Sequence, residues 1–369
     1  MTGTGHRQPP LLGVEEEYLL VDPRTRAVAP AAAEVVFRAA AELGDDVSHE
    51  FTLYQVEART PPCGAHAELL WELRRMRRVL AEAARAEGVR LAALAAPVLG
   101  AEMPPPCSPD DRYVRGSELY GTLYEEQTIC AMHVHVEVPD REIALLVGNH
   151  LRPWLPVVIS MAANSPYWSG RDSGHQSWRT LAWGRWPVAG PPPYFTSLAD
   201  YDGLVATLLE SGVLMDTGTI FWDVRPSRHL PTVEIRAADV PLSVRDTALV
   251  AVMIRGLVGT ALDAVAAGDP GPVVSPALLR AAYWRAARDG LAGQGLDPVT
   301  GRTKEAADLI RAMGGYAQPA LVEYGDLPTV IEGVRRLTDT GNGAMRQRAA
   351  YARGGLTAVV DEVIAGTET

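Results

Sequence analysis

The chain has 369 residues, 47% of them hydrophobic, which is enough to bury a full core in one large or two ordinary domains. Its formal net charge is −11 and Lys304 is its only lysine, so nucleic acid is not an expected partner without a local basic stripe, and lysine-based phosphate loops have a single candidate residue. Three widely spaced cysteines, Cys63, Cys107 and Cys130, argue against a disulfide framework and offer no C-x-x-C metal site.

The first ten residues are polar, lack an apolar signal core, and read as a disordered tail ahead of a single domain over 11–369. Residues 11–21 predict a strand with Glu15, Glu16 and Glu17 at its centre. Side chains alternate along a strand, so Glu15 and Glu17 share one face. A turn at 22–25 leads to a candidate return strand at 27–30, and 31–43 is a helix stopped by Gly44. Residues 49–60 read as one strand carrying Glu50 and Glu57. Their odd separation puts them on opposite faces of a flat strand, so a bulge or a contribution from the strand's start is needed to unite them. Residues 65–87 form a long helix, with Leu69, Leu73, Met76 and Leu80 on its inner stripe, and 89–95 a strand.

A Pro-rich loop at 97–111 precedes a helix at 112–123 and a strand at 128–138, on which His133 and His135 share a face. Helices follow at 142–151 and 153–163. Residues 164–195 are rich in Gly, Pro, Trp and Arg and have no regular period; a segment of this length without structure is usually functional. After a helix at 198–211, residues 221–225 and 232–237 read as a hairpin. Thr232, Glu234 and Arg236 share one face of its second strand. Helices are expected at 243–267, 275–288, 304–313, 327–337 and 343–354, with Lys304 solvated. The most apolar run, 248–268, carries Arg255 and Asp263 and reads as a buried helix, not a membrane span. Strands in front and helices behind give an α+β chain with a mostly antiparallel sheet.

Singly, each polar pair has a structural explanation. Glu15 and Glu17 would guard a sheet edge, the His-x-His pair would sit satisfied in the core, and Glu234 and Arg236 would be a surface ion pair. Together they form a set rich in carboxylates and poor in histidine, which suits Mg²⁺ or Mn²⁺ better than Zn²⁺. Neither a G-x-x-x-x-G-K-[ST] loop nor a strand–G-x-G-x-x-G–helix unit occurs. Phosphate, if bound, is held by metals and by Arg, whose planar fork grips it in two contacts. Arg171, Arg179, Arg185, Arg225 and Arg236 fall in the candidate region.

These stretches, in order, resemble the carboxylate–amine ligase family, relatives of bacterial glutamate–cysteine ligases. The matching segments are Gly13-Val14-Glu15-Glu16-Glu17-Tyr18, Glu50 through Glu57, Met132-His133-Val134-His135-Val136, Asn164-Ser165-Pro166 with Gly170-Arg171-Asp172, Trp183-Gly184-Arg185-Trp186-Pro187, Trp222-Asp223-Val224-Arg225-Pro226-Ser227 and Thr232-Val233-Glu234-Ile235-Arg236. The resemblance implies a glutamine-synthetase-like fold: a curved, mostly antiparallel sheet forming a bowl, with helices packed on its outer face. It implies ATP-dependent joining of a carboxylate to an amine through an acyl phosphate, with glutamate–cysteine ligation as the family's label. By motif position it implies that Glu15, Glu17, Glu50, Glu57, His133 and Glu234 bind Mg²⁺ (or Mn²⁺) around ATP.

On this reading Arg225 and Arg236 are catalytic, and Arg171, Arg179, Arg185 and His135 bind ATP or substrate. Strong strand twist would bring Glu50 and Glu57 to one mouth. The 164–195 segment, with Trp168, Trp178, Trp183 and Trp186, would cover the bowl and exclude water. Where the family commonly has Val-Gly after the histidines, this chain has Val136-Glu137; Glu137 would alter the acceptor pocket or add a ligand. Small-molecule substrates, a cytoplasmic setting and no membrane partner are expected, with a homo-oligomer left open. A metal-dependent amidohydrolase built on His133 and His135, and a catalytically idle metabolite-binding protein, are the alternatives.

Overall fold

The computed structural model describes residues 8–108 and 110–368. Most of the expected tail, residues 1–7, lies outside this range; of the rest, Gln8 is exposed and Pro10 is buried. In chain order the strands are β1 (Leu12–Val21), β2 (Val47–His49), β3 (Gln55–Arg59), β4 (Arg90–Ala92), β5 (Ala131–Glu137), β6 (Tyr167–Trp168), β7 (Arg171–Asp172), β8 (Ala189–Gly190), β9 (Phe221–Trp222), β10 (Val224–Pro226), β11 (Thr232–Asp239), β12 (Gln294–Asp297) and β13 (Arg302–Glu305). The helices are α1 (Ala32–Leu43), α2 (His66–Ala86), α3 (Asp111–Tyr120), α4 (Thr122–Glu125), α5 (Arg141–Leu151), α6 (Leu155–Ala162), α7 (Trp178–Trp183), α8 (Leu198–Glu210), α9 (Val244–Ala266), α10 (Pro276–Asp289), α11 (Ala306–Glu323), α12 (Leu327–Thr340) and α13 (Gly343–Thr367).

The main sheet runs β10-β11-β5-β1-β3-β2, with β4 also on β1, and its pairings are antiparallel. One face is apolar. Leu12, Val14, Met132, Val134, Val136, Val233 and Ile235 pack into a core shared with α2, α5, α6, α9 and α11. The opposite face carries the acids and histidines. This two-sidedness follows from strand alternation: every second residue of β1, β5 and β11 is apolar, apart from the buried Glu16 and Asp239. The expected bowl with helices on its outer face is the fold observed.

Helix α9 is the spine of the helical layer, packing against α2, α5, α6, α11 and α12. It and the stretch Arg141–Ala162 are long and apolar enough to cross a membrane, yet 78% of each apolar window is buried inside the protein. Both are core helices, as Arg255 and Asp263 led the sequence reading to expect for α9.

Several boundaries differ from expectation. Residues 49–60 do not form one strand: β2 and β3 are a hairpin with Glu50 at the start of its turn. The 27–30 return strand is reduced to a single bridge between Val21 and Val28. The 164–195 segment is not structureless, since it contains β6, β7, α7 and β8. Lys304 is not merely solvated but sits on β13 and pairs with Asp297 at 2.9 Å. Helix α13 runs past Gly354 to Thr367, bending where Gly355 takes φ = 67°, a backbone conformation that glycine reaches without a Cβ penalty.

Candidate active site

The acidic face of the sheet assembles by register. On adjacent strands Glu234 lies opposite Arg225 on one side and His135 on the other. One step along, Glu15 lies opposite His133 and Arg59. Further along β1, Glu17 lies opposite Glu57, which in turn pairs with Ser48. Between Ile235 and Ala238 the β11–β5 ladder shifts, so Arg236 and Ala237 together face one residue of β5. This bulge bends the strand beside the site and directs Arg236 toward His133, its Nη1 lying 3.3 Å from the His133 Nδ1.

Two groups of three ligand-type side chains result. Glu15, His133 and Glu234 each bring a donor atom within 4.8 Å of the others, and so do Glu17, Glu50 and Glu57. The hairpin turn supplies the answer to the Glu50–Glu57 parity problem. Glu57 is on β3, and Glu50 sits just past the end of β2, where alternation no longer dictates its direction. Sheet twist is not needed to unite them.

The electrostatics of the groups differ. Burial disfavours the charge on Glu15, but the neighbouring imidazoles of His133 and His135 outweigh it and hold the carboxyl well below the usual range. Burial likewise opposes Glu234, but Arg236 and Arg225 overcome it and keep it ionised. The Arg225 Nε lies 2.6 Å from Glu234 Oε2, and Arg236 Nη1 bonds Oε1. In the second group burial, reinforced by neighbouring carboxylates, wins. Glu17 is pushed up to about 8, with Glu50 as the main charge against it. Glu57 is pushed up to about 7 by burial and by Glu15 and Glu17, and Glu50 is raised well above its ordinary value by burial and by Glu57. Like charges lying directly opposite on a sheet destabilise it.

His133 is held down to about 4 by burial and by Arg236, so its ring is neutral, the form that ligates metals. Its Nδ1 lies 3.1 Å from the ionised Glu15 Oε2 and 3.3 Å from Arg236 Nη1, an acceptor and a donor that favour opposite tautomers. Its Nε2 is buried, has no hydrogen-bond partner and lies 3.8 Å from Glu17 Oε1. With the His133 proton on Nδ1 and Glu17 ionised, these two atoms would fit a cation between them. The Nε2 of His135 is similarly unpartnered, 3.5 Å from Glu15 Oε1, while its Nδ1 lies 2.9 Å from Thr232 Oγ1. The donor set, carboxylates with one or two imidazoles, fits a hard divalent cation.

The acids stand between two spaces. A polar cavity of roughly 360 Å³ is lined by Glu15, His135, Arg225, Arg228, His229 and Glu234, among others. An aromatic cavity of roughly 150 Å³ lies on the other side, walled by Phe51, Tyr113, Tyr124, Trp183, Trp186 and Phe221. Glu17, Glu50, His133 and Arg236 line both.

Arg179 reaches the aromatic cavity from α7, buried, with its Nη2 on the Arg236 carbonyl at 3.1 Å and Nε unpartnered. Behind it Asp239 accepts hydrogen bonds from the Asn164 amide and from the hydroxyls of Ser165 and Ser177, each at 2.8 Å. Sequence reasoning missed Asp239, the tyrosines and Arg112, which also lines the aromatic cavity. Asp239 closes β11 as its last residue, and an acid there reads as a cap unless its burial is known.

Four expectations fail. Arg171 is exposed on β7, stacked over Trp168, and Arg185 pairs with Glu126; neither lines either cavity. Glu137 is exposed and accepts from the Leu11 amide at 3.2 Å, so it adds no ligand. Of the four tryptophans, Trp183 and Trp186 wall the aromatic cavity, whereas Trp168 and Trp178 stack on each other outside it. Arg171 and Arg185 were grouped with Arg179 by proximity in sequence, and the β6–β7 turn and α7 separate them.

Known proteins share this chain's sequence family and its architecture. Over residues 11–362 the chain matches Glutamate-cysteine ligase family 2. A protein of Nocardia farcinica named "Putative glutamate--cysteine ligase 2-1" is 45% identical over 97% of this chain and 93% of its own length. One of Mycobacterium sp. strain KMS named "Putative glutamate--cysteine ligase 2-2" is 45% identical over 96% and 98%. The solved glutamate–cysteine ligase of Francisella tularensis, in complex with AMP, superposes with a TM-score of 0.72 at 13% identity, covering 98% of this chain and 90% of that one. A bifunctional glutathione synthetase from Pasteurella multocida gives 0.72 at 14% identity, over 98% of this chain and 52% of that one. With an acid-lined antiparallel bowl and relatives of this kind along nearly its whole length, the chain belongs to glutamate–cysteine ligase family 2 and is a ligase of that type.

Proposed function

We propose that the protein is an ATP-dependent ligase that joins a small carboxylate, with glutamate as the first candidate, to an amine, and that Mg²⁺ or Mn²⁺ is held by Glu15, His133 and Glu234 and by Glu17, Glu50 and Glu57. The observation that carries this is the pair of three-residue groups, with a buried, unpartnered His133 nitrogen between them. Bound there, divalent cations neutralise the charge of the ATP phosphates and of the transferring group.

The chain's own side chains divide the remaining work. Arg236, with a free buried Nε and access to both cavities, stabilises charge on the transferring phosphoryl group. Arg225 holds the Glu234 carboxylate in place through two hydrogen bonds. The polar cavity receives the nucleotide phosphates and the aromatic cavity the organic substrates, with Arg179 at its wall. The substrate carboxylate attacks the γ-phosphorus and ADP leaves. The amine then attacks the carbonyl carbon, phosphate leaves and a proton is lost. Trp183 and Trp186 keep water from the acyl phosphate.

An amidohydrolase needs further imidazoles grouped with His133 and His135: among the described residues His229 lines the same cavity but belongs to neither group of ligand-type side chains, and His150 and His175 contact the carbonyls of Asp269 and Ser173. Three unpaired cysteines suit a reducing, cytoplasmic setting. ADP release, measured with Mg²⁺, glutamate and a panel of amines including cysteine, tests the reading. Amine-dependent ADP release that falls by roughly 10²–10³ in Glu234→Gln, with an unchanged circular-dichroism spectrum, is expected. No ADP release with any pair would overturn it.

A further inference from the structure

A second polar cavity lies on the helical side of the sheet, away from the acids. It measures roughly 420 Å³ and is lined by Arg74, Arg245, Arg336 and Arg346 together with Ser243 and Thr340. These arginines come from four different elements, α2, α9, α12 and α13, so their convergence is a product of the fold and not of one basic run. Arg336 pairs with Asp246 at 2.6 Å and Arg346 with Glu362 at 3.2 Å. The side chains of Arg74 and Arg245 are exposed and form no hydrogen bond or ion pair with any described residue.

Two of the four guanidiniums around this cavity are paired with carboxylates, so in a chain of net charge −11 the cavity keeps the positive charges of Arg74 and Arg245 unmatched. We infer that this cavity is a binding site for a small, multiply charged phosphate, a pyrophosphate-bearing anion being the class whose oxygens match several guanidinium forks at once. The cavity also opens at Ser243, the residue that caps the 23-residue helix α9, whose first turn carries Asp246, the acid that accepts from the Ser243 hydroxyl at 2.7 Å and from Arg336.

Its position is that of an effector site. Arg77, one turn from Arg74 on α2, donates to the carbonyls of Pro241 and Leu242, immediately before Ser243. The same guanidinium holds Glu16, which lies between Glu15 and Glu17 on β1. An anion beside Ser243 is thus joined by one side chain to the strand that carries two of the candidate ligands.

Calorimetric titration of the metal-free protein with inorganic pyrophosphate in EDTA tests the site without relying on the ligase reading. Saturable binding near one per chain is expected, weakened at least tenfold in Arg74→Ala/Arg245→Ala. Both residues are exposed and unpaired, so the double variant keeps its fold. Glu234→Gln should bind pyrophosphate like the unaltered protein. ADP titrated in parallel distinguishes a nucleotide tail from the bare anion, and binding of either at this site supports the inference. No saturable binding, equal affinity in the double variant, or loss of affinity in Glu234→Gln would overturn it.

Discussion

At the scale of single residues, the acidic run on β1 holds two different chemistries. Glu15 and Glu17 face the open side, and Glu16, between them, is fully buried on the helical side. There its carboxylate meets Arg77, bonded through Nη2 and through Nε at 3.0 Å, with the Thr247 hydroxyl at 2.6 Å and the Tyr18 hydroxyl also donating. Alternation along the strand made the division of faces legible, but the partner was not, because Arg77 sits on what the pattern of α2 presents as one of many arginines. Removing one member of a buried pair leaves an uncompensated charge, which costs about 3–5 kcal/mol. Arg77→Met should therefore lower the urea-unfolding free energy by about that amount while filling most of the same space. A loss of under about 1 kcal/mol would mean that the pair behaves like an exposed one.

At the scale of elements, β1, β5 and β11 were readable because their apolar residues recur with period two, α2 because its apolar residues recur along one stripe, and α9 because it is a long, nearly continuous apolar run. The β2–β3 hairpin was not, since Glu50 to Tyr54 contains no Gly, Pro or Asn to mark the turn. The bulge at Arg236 left no sequence signal either: a bulge shows only against the register of its partner strand. The packing of α13 was equally hidden. Its first residue, Gly343, lies so close to Asn164 that an added Cβ would fall 1.9 Å from the amide oxygen. Asn164 in turn bonds the carbonyls of Ala93 and Val240, and its amide bonds Asp239, which anchors Ser165 and Ser177 behind Arg179. Gly343→Ala should thus cost about 1–3 kcal/mol by overpacking. It should also raise KM for the organic substrate, through the displaced Arg179, more than KM for ATP. Unchanged thermal stability together with an unchanged KM would show that the helix end can shift freely.

At the scale of the whole molecule, the acid bowl makes stability depend jointly on pH and on divalent cations. In the metal-free protein Glu57 and Glu17 titrate near 7 and 8, above the ordinary carboxylate value of 4.5. Groups raised in this way favour the fold while protonated: their contribution is complete below about pH 4.5 and is lost as pH climbs through 7 and 8. The metal-free protein should therefore lose thermal stability between about pH 6 and 9. Cations compete with those protons, because only the ionised carboxylates ligate. Mg²⁺ binding to the Glu17, Glu50 and Glu57 group should release protons near neutral pH and replace the lost stabilisation. The rise in Tm produced by a fixed, saturating Mg²⁺ concentration should thus be small at pH 6 and several degrees larger at pH 8.5, measured by differential scanning fluorimetry. In Glu17→Gln/Glu57→Gln, which removes the repulsion and the ligands together, the metal-free protein should be at least as stable as the unaltered one at pH 8.5 and should show little response to Mg²⁺. An equal Mg²⁺ effect at both pH values, or one that survives in the double variant, would place the stabilising cation elsewhere than on these acids.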